Sequence, residues 1–368
     1  MFQLFLISIE RFIFKSILSL KMDTFSDFID YLNKNRNIIR KSMKMDEKSD
    51  IYLLLKDAFN QNFHDFKPHD PENINVASTD SSEFVRMLYI GKNIVIIRAY
   101  TIYKNEISKH FIADMVAVNP EELMNFKILL MEYAEHKSII NLLDKSSPEY
   151  IFVDGSLNGR LSHSTEALKI ENYQGFMVEY FRTLKEMIKK AYDKNAKLIF
   201  IAKSSYSDSF KNYLLNSIRP ELLNSDPLKN EIKIYANDHA IIKAMAHSRG
   251  YTTPVMYKKI LGGFDVNYVS FDVLPKVEDL PMMVHILAKD FQKEDLNEAP
   301  YNIDENIINL IFYGYTSYRV YNLWLVDVDK KVKFRKNEME NIYMRAFEKA
   351  TGITFYETRG ERRVRIRV

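Results

Sequence analysis

Two short segments each deliver a single carboxylate from a run suited to a buried strand into small residues. They are Asn-Val-Ala-Ser-Thr-Asp-Ser-Ser, ending at Ser82, and Tyr-Ile-Phe-Val-Asp-Gly-Ser-Leu, ending at Leu157. A strand fixes Asp80 or Asp154 in place, while Gly and Ser keep bulk away so that a cation and a phosphate can approach. Two acids presented in this way point to metal-dependent phosphodiester chemistry. Asp-Ser-Ser and Asp-Gly-Ser are also ordinary turn sequences, so the order of elements around them has to decide.

Composition narrows the chemistry further. The 368 residues contain no cysteine, which excludes disulfides, thiolate zinc sites and a cysteine nucleophile. The eight histidines are scattered and form no His-x-x-x-His pair, so a zinc hydrolase site is not expected. Any metal is then a hard ion held by oxygen. A hydrophobic content of 46% suffices for a large core, and the net charge of +3 is a small difference between 52 basic and 49 acidic side chains. The one dense basic cluster is C-terminal, where Arg359, Arg362, Arg363, Arg365 and Arg367 surround Glu361; it can contact nucleic acid, with Arg362 and Arg363 as the candidates, or form a solvated or subunit-facing tail.

The elements that must position the acids follow from periodicity. Residues 1–21 are apolar but interrupted by Glu10, Arg11 and Lys15 and lack a small-residue cleavage site. They read as an added helix or a mis-set start ahead of Met22, with no membrane anchor, in a cytoplasmic protein. Residues 24–60 have helical spacing, and 61–75, with Pro68 and Pro71, form a connection. Asp80 is placed in a turn that heads a hairpin of strands over 84–89 and 93–103, with Gly91 and Lys92 at its tip. Residues 120–144 form a helix that Asn119 can cap and Pro120 can start, and it carries Glu132 and Glu135. A strand over 150–153 delivers Asp154, a helix covers 171–195, and the apolar strand 198–202 ends at Lys203. Further on, 238–249 reads as helix and 266–273 as strand. The order describes an α/β fold, a mixed β-sheet flanked by helices. No linker or repeat divides the chain, so one continuous domain is expected: a leader (1–21), a helical N-terminal region (22–70), a core (71–330), and a C-terminal helix with a basic tail (331–368).

Val153-Asp154-Gly155-Ser156-Leu157 after an apolar strand, preceded by Asp80-Ser81-Ser82 leading into an Ile-rich hairpin, resembles the NurA family of archaeal and bacterial nucleases. Lys203-Ser204, Asn237-Asp238-His239 and Gly314-Tyr315 follow in matching order, so that the resemblance spans residues 76–325. It implies an RNase H-like fold and DNA cleavage dependent on Mn²⁺ or Mg²⁺, of the 5′–3′ exonuclease and single-strand endonuclease type. It also implies a homodimer working with a HerA-like hexameric ATPase in DNA end resection and recombinational repair. Carried over by position, Asp80, Glu132 and Asp154 are the metal ligands, with Glu135 as the competing helix glutamate, and Tyr315 and Asn322 complete the catalytic set. Three departures stand out: Ser81 where the family has Gly, Thr316 after Tyr315 where it has Pro, and Asn322 in the region of its histidine. Asn322 can bind through its amide oxygen but cannot titrate.

Other candidates have two readings each. Lys203 can contact a scissile phosphate or lie solvated at a strand end. Asp238 can be a further metal ligand or part of a helix cap. Tyr313, Tyr315, Tyr318 and Tyr321 can stack on unpaired bases or be buried, and Trp324 belongs to the core. The leading function is a metal-dependent DNA nuclease. The alternatives are a catalytically weak or inactive DNA-binding subunit that regulates a translocase, motivated by Asn322, and an RNase H-like enzyme acting on RNA or an RNA–DNA hybrid.

Overall fold

A computed structural model of the chain describes residues 24–38, 50–71, 73–217 and 237–356. These residues fall into two compact units, one holding the described residues before 59 and the other 59–217 with 237–356. The first contains helix α1 (residues 24–38) and most of α2 (Asp50–Asn62). Residues 1–23 and the arginines of the C-terminal tail, including Arg362 and Arg363, lie outside the described residues. No described helix is long and apolar enough to cross a membrane.

The second unit is built on a mixed sheet whose strands are β1 (Phe63–Asp65), β2 (Val76–Met87), β3 (Asn93–Tyr103), β4 (Glu106–Val116), β5 (Tyr150–Asp154), β6 (Lys197–Ala202), β7 (Gly250–Thr252), β8 (Val255–Leu261), β9 (Phe264–Leu274), β10 (Met282–Leu287) and β11 (Ala299–Pro300). Its main path runs β1-β7-β9-β10-β6-β5-β2-β3-β4, with β8 and β11 branching from β9. An antiparallel meander β2-β3-β4 with β5 and β6 added parallel to β2 is the RNase H arrangement. Strands β5 and β6 are apolar at nearly every position because both faces of the sheet are covered there.

On one face pack α3 (Pro120–Leu143) and α5 (Phe176–Asp193), burying Ala77, Val95, Ile151, Val153 and Phe200. On the other pack α8 (Glu305–Gly314) and α9 (Leu323–Val332) against Phe152, Ile199, Ile201 and Val284. Three shorter helices, α4 (Leu157–Leu161), α6 (Ser209–Ser217) and α7 (Asp238–Met245), sit in the connections. Trp324 of α9 stacks on Phe152, with ring centroids 5.2 Å apart and planes 7° from parallel.

Several expectations change. Asp80 is not in a turn: β2 continues through Asp80, Ser81 and Ser82, which pair with Tyr100, Ala99 and Arg98 of β3. Serine fits because Ser81 is buried under α3 and Ser82 accepts from the Phe334 amide, so neither backbone is freed for a turn. Strand β4 was not anticipated. It is an edge strand in which Ile107, Phe111 and Met115 remain exposed among charged neighbours, which blurs the alternation. Pro120 opens α3 as expected, but the Asn119 side chain makes no capping bond. The helix expected over 238–249 stops at Met245 because the chain must enter β7, and that expected over 171–195 begins only at Phe176.

Phe152 is fully buried at the centre of the sheet and braces Trp324. Phe152→Ala is expected to cost about 3–5 kcal/mol, read as a lower denaturant midpoint with an unchanged slope.

Candidate active site

Register alone brings the two aspartates together. Thr79 pairs with Val153 in the parallel β2–β5 ladder, so Asp80 and Asp154 lie one residue beyond it, at one level and on one face. Neighbouring strands are about 4.8 Å apart. Strand β5 ends at Asp154, where Gly155, at φ +95°, turns the chain away and Ser156 caps α4 by accepting from the Gly159 amide at 3.1 Å. Glycine is needed at that φ, because an L side chain rarely adopts it.

The environment of Asp80 is anionic. Its carboxylate accepts from the Ser81 amide at 2.7 Å. Burial, with Glu135 and Asp154 adding repulsion and Asp329 of α9 a smaller part, pushes it up to about 8. Asp154 is partnered instead: Lys203 Nζ lies 3.1 Å from its Oδ2, and the Tyr321 hydroxyl faces it. Burial and these same acids raise Tyr321 well above the usual phenol range, so it stays a donor.

The two candidate glutamates of α3, Glu132 and Glu135, have separate partners. Glu135 is buried and accepts from Ser81 Oγ at 2.5 Å and from Arg160 at 2.5 Å, one residue away from Asp80 along β2. Burial raises it, against the pull of Arg160 and Ser81. Glu132 points the other way, to the Tyr180 hydroxyl at 2.5 Å and His163 Nε2 at 2.8 Å. Burial works against its charge, yet Arg160, His163 and Tyr180 outweigh it and hold Glu132 down to about 2. Arg160 is the hinge of this network: it also donates to the Asp154 carbonyl oxygen at 3.1 Å, and its other guanidinium nitrogen lies 3.0 Å from His136 Nε2.

The remaining candidates scatter. Tyr315 donates to Asp279, beyond β9, rather than to either aspartate. Asn322 is fully buried and caps α9, accepting from the Leu325 amide at 3.0 Å, with its own amide nitrogen unpartnered. Asp238 accepts from the Phe210 and Lys211 amides at the start of α6 and sits beside Asp272, a separate buried pair of acids, while Asn237 caps α7. Arg160 and Asp329 were not singled out from sequence, and Tyr321 was weighed only for stacking. Only its place beside the expected histidine region marked Tyr321, and nothing in the periodicity marks Arg160 as buried.

The donors suit a hard divalent cation. Asp80 and Asp154 sit side by side on neighbouring strands, and of the two causes that keep a proton on Asp80, burial first and repulsion by Glu135 and Asp154 second, a cation relieves the second. Among the described residues no three His, Cys, Asp or Glu side chains form a ready shell, so a cation held here would draw on these two carboxylates and on oxygens from outside the chain.

An RNase H-type sheet with two acids on its central parallel strands defines an oxygen-donor phosphodiesterase scaffold. The chain belongs to the NurA family, a family of nucleases: the NurA domain matches residues 74–334. The crystal structure of the NurA nuclease from Sulfolobus solfataricus is similar at a TM-score of 0.55 and 16% identity, over 89% of this chain and 97% of that one. A crystal structure of NurA with manganese is similar at a TM-score of 0.52 and 12% identity, over 88% of this chain and 98% of that one. No curated protein sequence matches the chain.

Two stability predictions follow from the charges. Folded Asp80 holds a proton that the unfolded chain releases above 3.8, so metal-free protein loses stability as pH rises from there to about 8. Asp80→Asn is therefore expected to melt higher than wild type in chelator, by a margin that widens across that range and then levels off. Arg160→Met strands Glu135 in the interior and should cost about 3–5 kcal/mol in denaturant unfolding, most of it recovered when Glu135→Met is added.

Proposed function

We propose that this NurA-family chain is a DNA nuclease dependent on Mn²⁺ or Mg²⁺, held by Asp80 and Asp154. The observation that carries the reading is the β2–β5 register, which sets both carboxylates at one level and on one face. A divalent ion bound there supplies Lewis acidity toward a phosphate and lowers the pKa of water. The chain's own residues do the rest. Tyr321 orients Asp154 through its hydroxyl, Arg160 fixes the end of β5 through the Asp154 carbonyl and holds Glu135 against Ser81, and Lys203 places a positive charge where a phosphate approaches. Glu135, rather than Glu132, is the glutamate whose charge bears on Asp80. Glu132 serves to anchor His163 and Tyr180.

Family membership and likeness to NurA structures support DNA as the substrate, in 5′–3′ exonucleolytic and single-strand endonucleolytic cleavage. The same membership supports a homodimer acting with a HerA-like hexameric ATPase in end resection. The core, residues 71–330 in this reading, carries the chemistry, and Arg362 and Arg363 add electrostatic attraction for the strand.

Labelled single- and double-stranded DNA incubated with Mn²⁺ is expected to be cleaved. Asp80→Asn or Asp154→Asn should each slow cleavage on the order of a thousandfold, and Glu135→Gln about 10–100-fold. Full activity in both aspartate variants sinks the assignment. DNA binding without cleavage under every metal identifies instead a silent, translocase-regulating subunit, the reading that the buried, non-titrating Asn322 favours.

A further inference from the structure

The ammonium of Lys203 stands where the paired acids most need a cation. Its Nζ lies 3.1 Å from Asp154 Oδ2 and 4.1 Å from the centroid of the Tyr321 ring. Among the described residues Asp80 has no ion-pair partner, and the charges that bear most on it are those of Glu135, Asp154 and Asp329. Lys203 is thus the cation of Asp154, as Arg160 is that of Glu135, and Asp80 between them has neither.

The placement follows from the backbone. Asp154 pairs with Ile201 in the parallel β5–β6 ladder, so Lys203, two residues on and just past the end of β6, returns to the face of Asp154. The Tyr321 ring is a nearly buried seat for the ammonium, whereas the Lys203 side chain is 45% exposed and hangs on a flexible four-carbon stem. The ammonium is therefore held by two modest attractions and free to swing outward. A divalent cation and an ammonium cannot both sit close against one carboxylate, because like charges a few ångströms apart repel strongly in a partly dry site.

We infer that Lys203 is a metal-released phosphate hook: its ammonium keeps Asp154 paired until a divalent ion takes that carboxylate, and then turns to a backbone phosphate of the nucleic acid. The inference rests on the proposed metal site at Asp80 and Asp154 and adds a coupling between metal and phosphate binding. Coupling of this kind is reciprocal, so metal strengthens DNA binding by the factor by which DNA strengthens metal binding.

The test reads binding rather than turnover. Mn²⁺ affinity is measured calorimetrically, without DNA, for wild type, Lys203→Met and Lys203→Arg. Affinity for a phosphorothioate oligonucleotide that resists cleavage is measured with and without Ca²⁺. Lys203→Met should bind Mn²⁺ about three- to tenfold more tightly than wild type, because its competitor is gone. It should also lose most of the gain in oligonucleotide affinity that Ca²⁺ gives wild type, while Lys203→Arg keeps both near wild type. Equal Mn²⁺ affinity in wild type and Lys203→Met overturns the hook and leaves the metal site standing. Absence of Mn²⁺ binding in both overturns the metal site and the hook with it.

Discussion

The parallel pairing of β2 with β5 is the constraint on which the rest depends. A shift of one residue would turn Asp80 toward α3 and leave Asp154 alone on the opposite face, since side chains alternate along a strand. The register is secured from both sides: Ala77 and Val153 lock under α3, while Phe152 stacks on Trp324 across the sheet. Two large hydrophobic layers thus specify the position of two polar groups that contribute nothing to either layer. The acids are costly where they stand, and packing supplies the stability that holds them there.

Arg160 links that packing to the chemistry. One guanidinium touches Glu135, His136 and the carbonyl of Asp154, so the strand end, the helix and the short helix after Gly155 share one anchor. Removal of a buried ion pair member is severe because the partner is left without solvent or counter-charge. The network also explains why two glutamates three residues apart on one helix behave differently. Glu132 has three groups stabilising its charge, whereas Glu135 has its charge opposed by deeper burial.

Much of the fold was legible in the sequence because its signals were local. The apolar runs ending at Asp154 and Lys203 and the Pro120 helix start are set by neighbours in the chain, as is the glycine that turns at φ +95°. The course of β2 through Asp80 was not legible, since consecutive serines read as a turn until eleven paired positions on β3 override them. The choice between Glu132 and Glu135 was equally closed to sequence, because both lie inward on α3 and only Ser81 and Arg160 separate them. Among the late tyrosines, Tyr315 and Tyr321 have similar surroundings in sequence. It is the start of α9 that carries Tyr321 to Asp154 and the end of α8 that leaves Tyr315 with Asp279.

Strand β2 runs on to Met87, seven residues past the level at which β5 stops at Asp154. The sheet is therefore stepped at the acids, with the β2–β3 ribbon rising on one side and the short, lysine-tipped end of β6 on the other. The two flanks of the acids are therefore unlike: a long ribbon stands on one side and a strand end carrying a cation on the other, so whatever lies over the acids meets a different surface on each hand.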